Sequence, residues 1–73
     1  MLIQIKNPDA LHLGKPIVWR VGIGVLYEYD GIVIQRAEEW CKIFFNDGTT
    51  ETLWYNDLTT THEFAIYAME IKC

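Results

Sequence analysis

Residues 40–55 constrain this chain more than any other stretch. Trp40-Cys41-Lys42-Ile43-Phe44-Phe45 and Thr49-Thr50-Glu51-Thr52-Leu53-Trp54-Tyr55 are rich in β-branched and aromatic residues, and they flank Asn46-Asp47-Gly48. Strand-forming runs on both sides of Asp-Gly predict an antiparallel hairpin, because glycine takes the positive φ that a tight connection needs. Extended outward from this hairpin, Val18 to Leu58 is one antiparallel β-meander. The expected fold class is therefore all-β.

The remaining segments are read against that centre. Ile17, Trp19, Val21, Ile23, Val25, Tyr27 and Tyr29 alternate with other residues, and this period of two predicts a long half-buried strand over 17–29. Gly22 and Gly24 inside it predict a bulge or bend of the kind small barrels use to close. Asp30-Gly31 predicts a second turn, Ile32 to Arg36 the next strand, and Ala37-Glu38-Glu39 a charged connection. Leu2 to Lys6 predicts a short first strand. It is broken at Asn7-Pro8-Asp9, where the Asn and Asp side chains bond their own backbone. Asp9 to Leu13 fits one helical turn, ended by Gly14-Lys15-Pro16, and Asn56-Asp57-Leu58 fits a turn or a 3₁₀ turn. Thr59 to His62 is polar and expected to be exposed. The tail from Glu63 to Cys73 fits a helix through Phe64, Tyr67, Ala68 and Ile71, and a strand through Tyr67, Met69 and Ile71. The strand is preferred because the first strand otherwise lacks a partner at its edge. The expected organisation is one domain over 1–73, with a core at 17–58 and flanking strands at 2–6 and 64–72.

A chain of 73 residues removes only about 60–65% of its unfolded surface from water. Half of its residues are hydrophobic, and three Trp, four Tyr and three Phe supply large buried areas. So many rings exceed what one small core holds, so some are expected on the surface as partner contacts. Six Lys and Arg face ten Asp and Glu, for a formal charge of −4. That balance disfavours nucleic acid, which rewards clustered cations, and suits a basic protein partner or mimicry of nucleic acid. Arg20, Arg36 and Lys42 are the cations that a nucleic-acid surface would have to gather, with Trp19 or Tyr27 stacking a base. Cys41 and Cys73 are too few for a disulfide scaffold and are expected as free thiols. No apolar run approaches a membrane span, and the first residues lack a signal-peptide layout. The expectation is a soluble cytoplasmic protein with no membrane contact. A homodimer is compatible with its edge strands and surplus rings.

Val21-Gly22, Val25-Leu26, Asp30-Gly31, Cys41-Lys42-Ile43-Phe44-Phe45, Asp47-Gly48 and Leu53-Trp54-Tyr55-Asn56-Asp57-Leu58 follow one another in an order that resembles a Tudor domain of the SH3-like barrel superfamily. The resemblance covers about 40 residues and implies a small SH3-like, Tudor-like barrel of five to six antiparallel strands with short helical turns. It also implies a cage of aromatic rings for methylated lysine or arginine, held by cation–π attraction. Phe45 sits at a cage position. Glu28 stands at the first cage position and Tyr29 one residue beyond it, which predicts that Tyr29 points to the opposite face. Ile34 stands where a second-strand ring is expected, and Thr49 and Thr50 follow the Asp-Gly turn where another often lies. The cage is thus expected to be incomplete, with Phe45, Trp54 and Tyr27 as core.

Other chemistry lacks its residues. The chain has no serine. Cys41 lies mid-strand and is expected to be a buried structural thiol. His12, His62, Cys41 and Cys73 lack the short paired spacings of a zinc site, Glu38-Glu39 fits a solvated turn, and Gly22-Ile23-Gly24 lacks the rest of a nucleotide fingerprint. No enzyme, cofactor or metal is expected. The expected function is a stand-alone interaction module that binds a protein with a basic surface or peptide. By analogy with small acidic phage or mobile-element proteins, it would modulate a host protein in the host cytoplasm. The alternatives are a nucleic-acid-binding SH3-like barrel and a Tudor-type reader of a cationic, methylated peptide. The candidate contact residues are Trp19, Tyr27, Tyr29, Asp30, Phe45, Asp47, Trp54 and Asp57, with Trp and Tyr as the anchors. Trp40 and Trp54 are expected to pair across the hairpin.

Overall fold

The computed structural model describes residues 2–22, 25–60 and 64–69. Six strands form one antiparallel sheet: β1 (Leu2–Gln4), β2 (Pro16–Val21), β3 (Tyr27–Arg36), β4 (Trp40–Phe45), β5 (Thr50–Trp54) and β6 (Phe64–Met69), in the order β1-β6-β2-β3-β4-β5. A 3₁₀ turn at Pro8–Ala10 and a single helical turn, α1 (Asp57–Thr60), complete the described elements. The all-β class with short helical turns is as expected. So is the strand in the tail: β6 takes β1 as its outer partner and β2 as its inner one. The expected extension of that strand to 72 lies outside the described residues, as do Cys73 and His62.

The central hairpin forms where the sequence predicts it. Phe45 N donates to Thr49 O at 2.8 Å and Gly48 N donates to Phe45 O at 3.0 Å. Gly48 has φ +90°, the positive value that an L side chain avoids. Trp40 and Trp54 are register partners. Cys41 is wholly buried.

Three expectations of the meander are corrected. The run 17–29 is not one strand. The chain leaves the sheet after Val21 and re-enters it at Tyr27, and the register Trp19↔Tyr29 and Val21↔Tyr27 folds it back on itself. The alternating positions survive because an odd residue faces an odd residue in that register. Asp30-Gly31 is not a turn but lies inside the ten-residue β3. The bulge falls at Ile34, between Val33 and Gln35, not at Gly22; Gly24 lies outside the described residues. The extra residue reverses the alternation. Arg36 becomes the partner of Cys41 and reaches across to Tyr55 Oη and Pro8 O, both at 3.2 Å.

β3 pairs with β2 through Tyr27–Ile32 and with β4 through Gly31–Arg36, so the two ladders overlap only at Gly31 and Ile32. One long strand thus carries the chain from one half of the sheet to the other. The halves curl toward each other. Ile17, Ile66 and Ala68 of the β2–β6 half share one buried cluster with Ile43 and Leu53 of the β4–β5 half, together with Ile5, Leu11 and Leu58. A flat sheet would hold these residues strands apart.

Gly31 permits the curl. A Cβ built there would stand 2.6 Å from Ile43 Cγ2 and 2.9 Å from Phe45 Cδ1, closer than carbon atoms pack. Gly31→Ala is expected to destabilise the fold by about 1–3 kcal/mol, the range for overpacking a filled core. A lowered urea midpoint at unchanged slope is the measurement.

Candidate functional site: an aromatic pocket with an acidic rim

The inner face of the curled sheet runs from the sealed core to an open end. Along β2 the face passes from buried Ile17 to half-buried Trp19 and Val21. Along β6 it passes from Ala68 and Ile66 to Phe64, the register partner of Val21. Along β3 it passes from Gly31 to Tyr29. Along β4 it ends at Phe45, and on β5 Glu51 is the partner of buried Ile43 and so shares its face. These residues surround a cavity of about 420 Å³ lined by Trp19, Val21, Tyr29, Phe45, Asp47, Thr49, Glu51 and Phe64.

Four rings meet here. Trp19 and Phe64 have centroids 4.8 Å apart, Trp19 and Phe45 5.6 Å apart and edge-on, and Tyr29 and Phe45 5.8 Å apart. All three separations fall in the favourable range for ring pairs. Trp19 stands on β2 and Phe45 on β4, with β3 between them. They touch because β3 presents Gly31 to Phe45, leaving the space over the strand free for the ring. Phe45 is 4% exposed and Tyr29 40%, so Phe45 forms the floor and Tyr29 a wall.

The rim is acidic. Asp47 accepts from Thr49 Oγ1 at 2.6 Å and from Thr49 N at 3.0 Å. The Thr49 hydroxyl and amide bonds hold the Asp47 carboxyl below the usual carboxylate value, because both donate to the charged form. Among the described residues, no Lys, Arg or His lines the cavity. Four rings and two carboxylates thus line one cavity.

Of the eight residues predicted from sequence, Trp19, Tyr29, Phe45 and Asp47 come together in this pocket. Tyr29 does not point away from Phe45, as its offset predicts, but meets it. Tyr27 continues the same row beyond the pocket lining and is 57% exposed, so it is not core. Asp30 is exposed on the outer side of β3, opposite Val18. Asp57 opens α1. Trp54 is 49% exposed, again not core, and lines a separate groove of about 710 Å³ with Lys6, Arg36, Glu38, Glu39 and Tyr55. That groove is larger, but it mixes both charge signs and gathers no ring cluster. Val21, Thr49, Glu51 and Phe64 were not among the predicted contacts. Two of them carry a readable signal. Glu51 stands two residues before buried Leu53 and so shares its face, and Phe64 begins the strand that the tail was expected to form.

Arg20, Arg36 and Lys42 do not form one basic patch through shared contacts. Arg20 pairs with Glu28 at 3.1 Å and lies over the Tyr67 ring at 4.8 Å, whereas Arg36 serves Tyr55 and Pro8. Cys41 is buried and desolvation pushes its thiol up. His12 is exposed and its ring contacts Leu13 O at 3.2 Å. Among the described residues, no three His, Cys, Asp or Glu side chains gather as a metal site requires, and no helix is long and apolar enough to cross a membrane.

The lowered folded-state pKa of Asp47 contributes stability above the ordinary carboxylate pKa, and that contribution is lost as pH falls through the folded value. Thr49→Val removes the hydroxyl donor and leaves the amide. The Asp47 titration followed by carbon-detected NMR is then expected to move up toward the ordinary carboxylate value; an unmoved titration would show that the hydroxyl does not set it.

No family model, curated protein or solved structure compared with the chain matches it.

Proposed function

We propose that the protein is a non-enzymatic interaction module, a Tudor-like barrel of the SH3-like class, that takes the methylated cationic side chain of a basic peptide into its aromatic pocket. The observation that carries this reading is the convergence of Trp19, Tyr29, Phe45 and Phe64 with Asp47 and Glu51 around one cavity. Aromatic faces attract cations through the ring quadrupole. A bare lysine ammonium is compact and strongly hydrated, and rings cannot replace its hydrogen bonds. Methyl groups weaken that hydration and add apolar surface, so the rings and the carboxylates act on the same ligand.

The curled six-stranded sheet supports the fold side of the reading. The formal charge of −4 speeds encounter with a basic partner, and the acidic rim opposes a phosphate backbone. Cys41, wholly enclosed in the core, supports binding over nucleophilic chemistry. The same surface would serve a phage accessory protein that holds a basic segment of a host protein.

Calorimetric titration with acetyl-trimethyl-lysine methylamide tests the reading against its neutral isostere, in which carbon replaces the ammonium nitrogen. The cation is expected to bind and the isostere to bind several-fold more weakly. Trp19→Ala is expected to weaken the cation by about 2- to 30-fold, the loss of one well-placed ring. Asp47→Asn, at an exposed position that leaves the core untouched, is expected to weaken it as well. Equal binding of cation and isostere, or binding of neither, overturns the reading.

A further inference from the structure

β5 ends the sheet order β1-β6-β2-β3-β4-β5, so one of its edges has no strand partner among the described residues. The hydrogen-bond phase of β4–β5 says which groups face that edge. Phe45 N donates to Thr49 O and Tyr55 N donates to Glu39 O. The bonded pairs are therefore Phe45 with Thr49, Ile43 with Glu51, Cys41 with Leu53 and Glu39 with Tyr55. The alternate residues Thr50, Thr52 and Trp54 turn their N–H and C=O groups away from β4. All three are exposed.

That edge runs beside the aromatic pocket. Glu51 of β5 and Phe64 of β6 line the same cavity, although β2, β3 and β4 separate these strands in the sheet. The cavity thus opens along the seam where the curled sheet brings its two halves together, and the outer edge of β5, unpartnered among the described residues, borders the seam.

We propose that the basic peptide binds as an added strand on the outer edge of β5, pairing with Thr50, Thr52 and Trp54, so that its methylated side chain enters the pocket next to Glu51. This rests on the pocket reading above. A residue set directly opposite Glu51 in the added ladder shares its face, which is the face of the pocket, and its neighbours face outward with Thr50 and Thr52. Main-chain bonds supply affinity and the pocket supplies selection, the division of labour in strand addition. Asp47 and Glu51 match a basic strand and repel an acidic one.

Amide hydrogen exchange by NMR on the unmodified protein tests this with two probes. One is a nine-residue peptide of threonine and arginine around a central trimethyl-lysine; the other is acetyl-trimethyl-lysine methylamide, which fills the pocket but offers no strand. Both are expected to shift the Trp19 indole resonance. Only the peptide is expected to slow exchange at the Thr52 and Trp54 amides, on the order of tenfold, as new bonds protect them. A peptide that shifts Trp19 while Thr52 exchanges as before overturns the strand addition and leaves the pocket reading standing. If neither probe moves Trp19, the pocket reading fails and the strand addition with it. A Thr52 amide already slow without probe, and slower as protein concentration rises, shows a second copy on the edge and also overturns the proposal.

Discussion

Gly31 is the point at which the two halves of this molecule meet. β3 crosses from the β2 ladder to the β4 ladder there, and the missing side chain lets Ile43 and Phe45 press onto the strand. Two features follow from that approach. Phe45 reaches Trp19 across an intervening strand, and the residues of both halves join one cluster. A small chain has little apolar area to spare. Its core exists only because the sheet bends enough to bring both ends of the inner face together.

The same bend makes a pocket at the open end. Side chains on the inner face change from Ile, Leu and Val in the sealed part to Trp, Tyr, Phe and Glu at the mouth. Aromatic rings suit this boundary because they tolerate partial exposure while burying large areas. Trp19 and Phe64 pack against the core and line the cavity at once, so the core and the pocket draw on the same side chains. Asp47 belongs to the turn that closes the β4–β5 hairpin, where its bonds to Thr49 both shape the turn and keep its charge.

Elements were legible in the sequence where chemistry is local. Asn46-Asp47-Gly48 announces its hairpin through the φ that Gly48 adopts, and the period of two announces strands wherever apolar residues alternate. The same signals misled at Asp30-Gly31, because a glycine that leaves room for a crossing ring carries the same letters as one that makes a turn. They misled again at 17–29, since the alternation continues in step from Val21 to Tyr27 across the connection and marks no boundary. Half of the candidate site was legible for a related reason. Trp19, Tyr29, Phe45 and Asp47 belong to residue types that favour binding, whereas Phe64 and Glu51 acquire their place only through the register of β6 and β5.

Composition and alternation were enough to establish an all-β chain, its central hairpin, its acidic balance and an excess of rings over what its core holds. Those properties depend on neighbours in the chain, and a linear reading sees them. Which rings share a pocket depended on register, on the bulge at Ile34 and on the contact across Gly31, each of which joins residues far apart in sequence. A shift of one residue in any ladder turns a side chain to the other face. Only the folded sheet could decide that four rings and two carboxylates face one another.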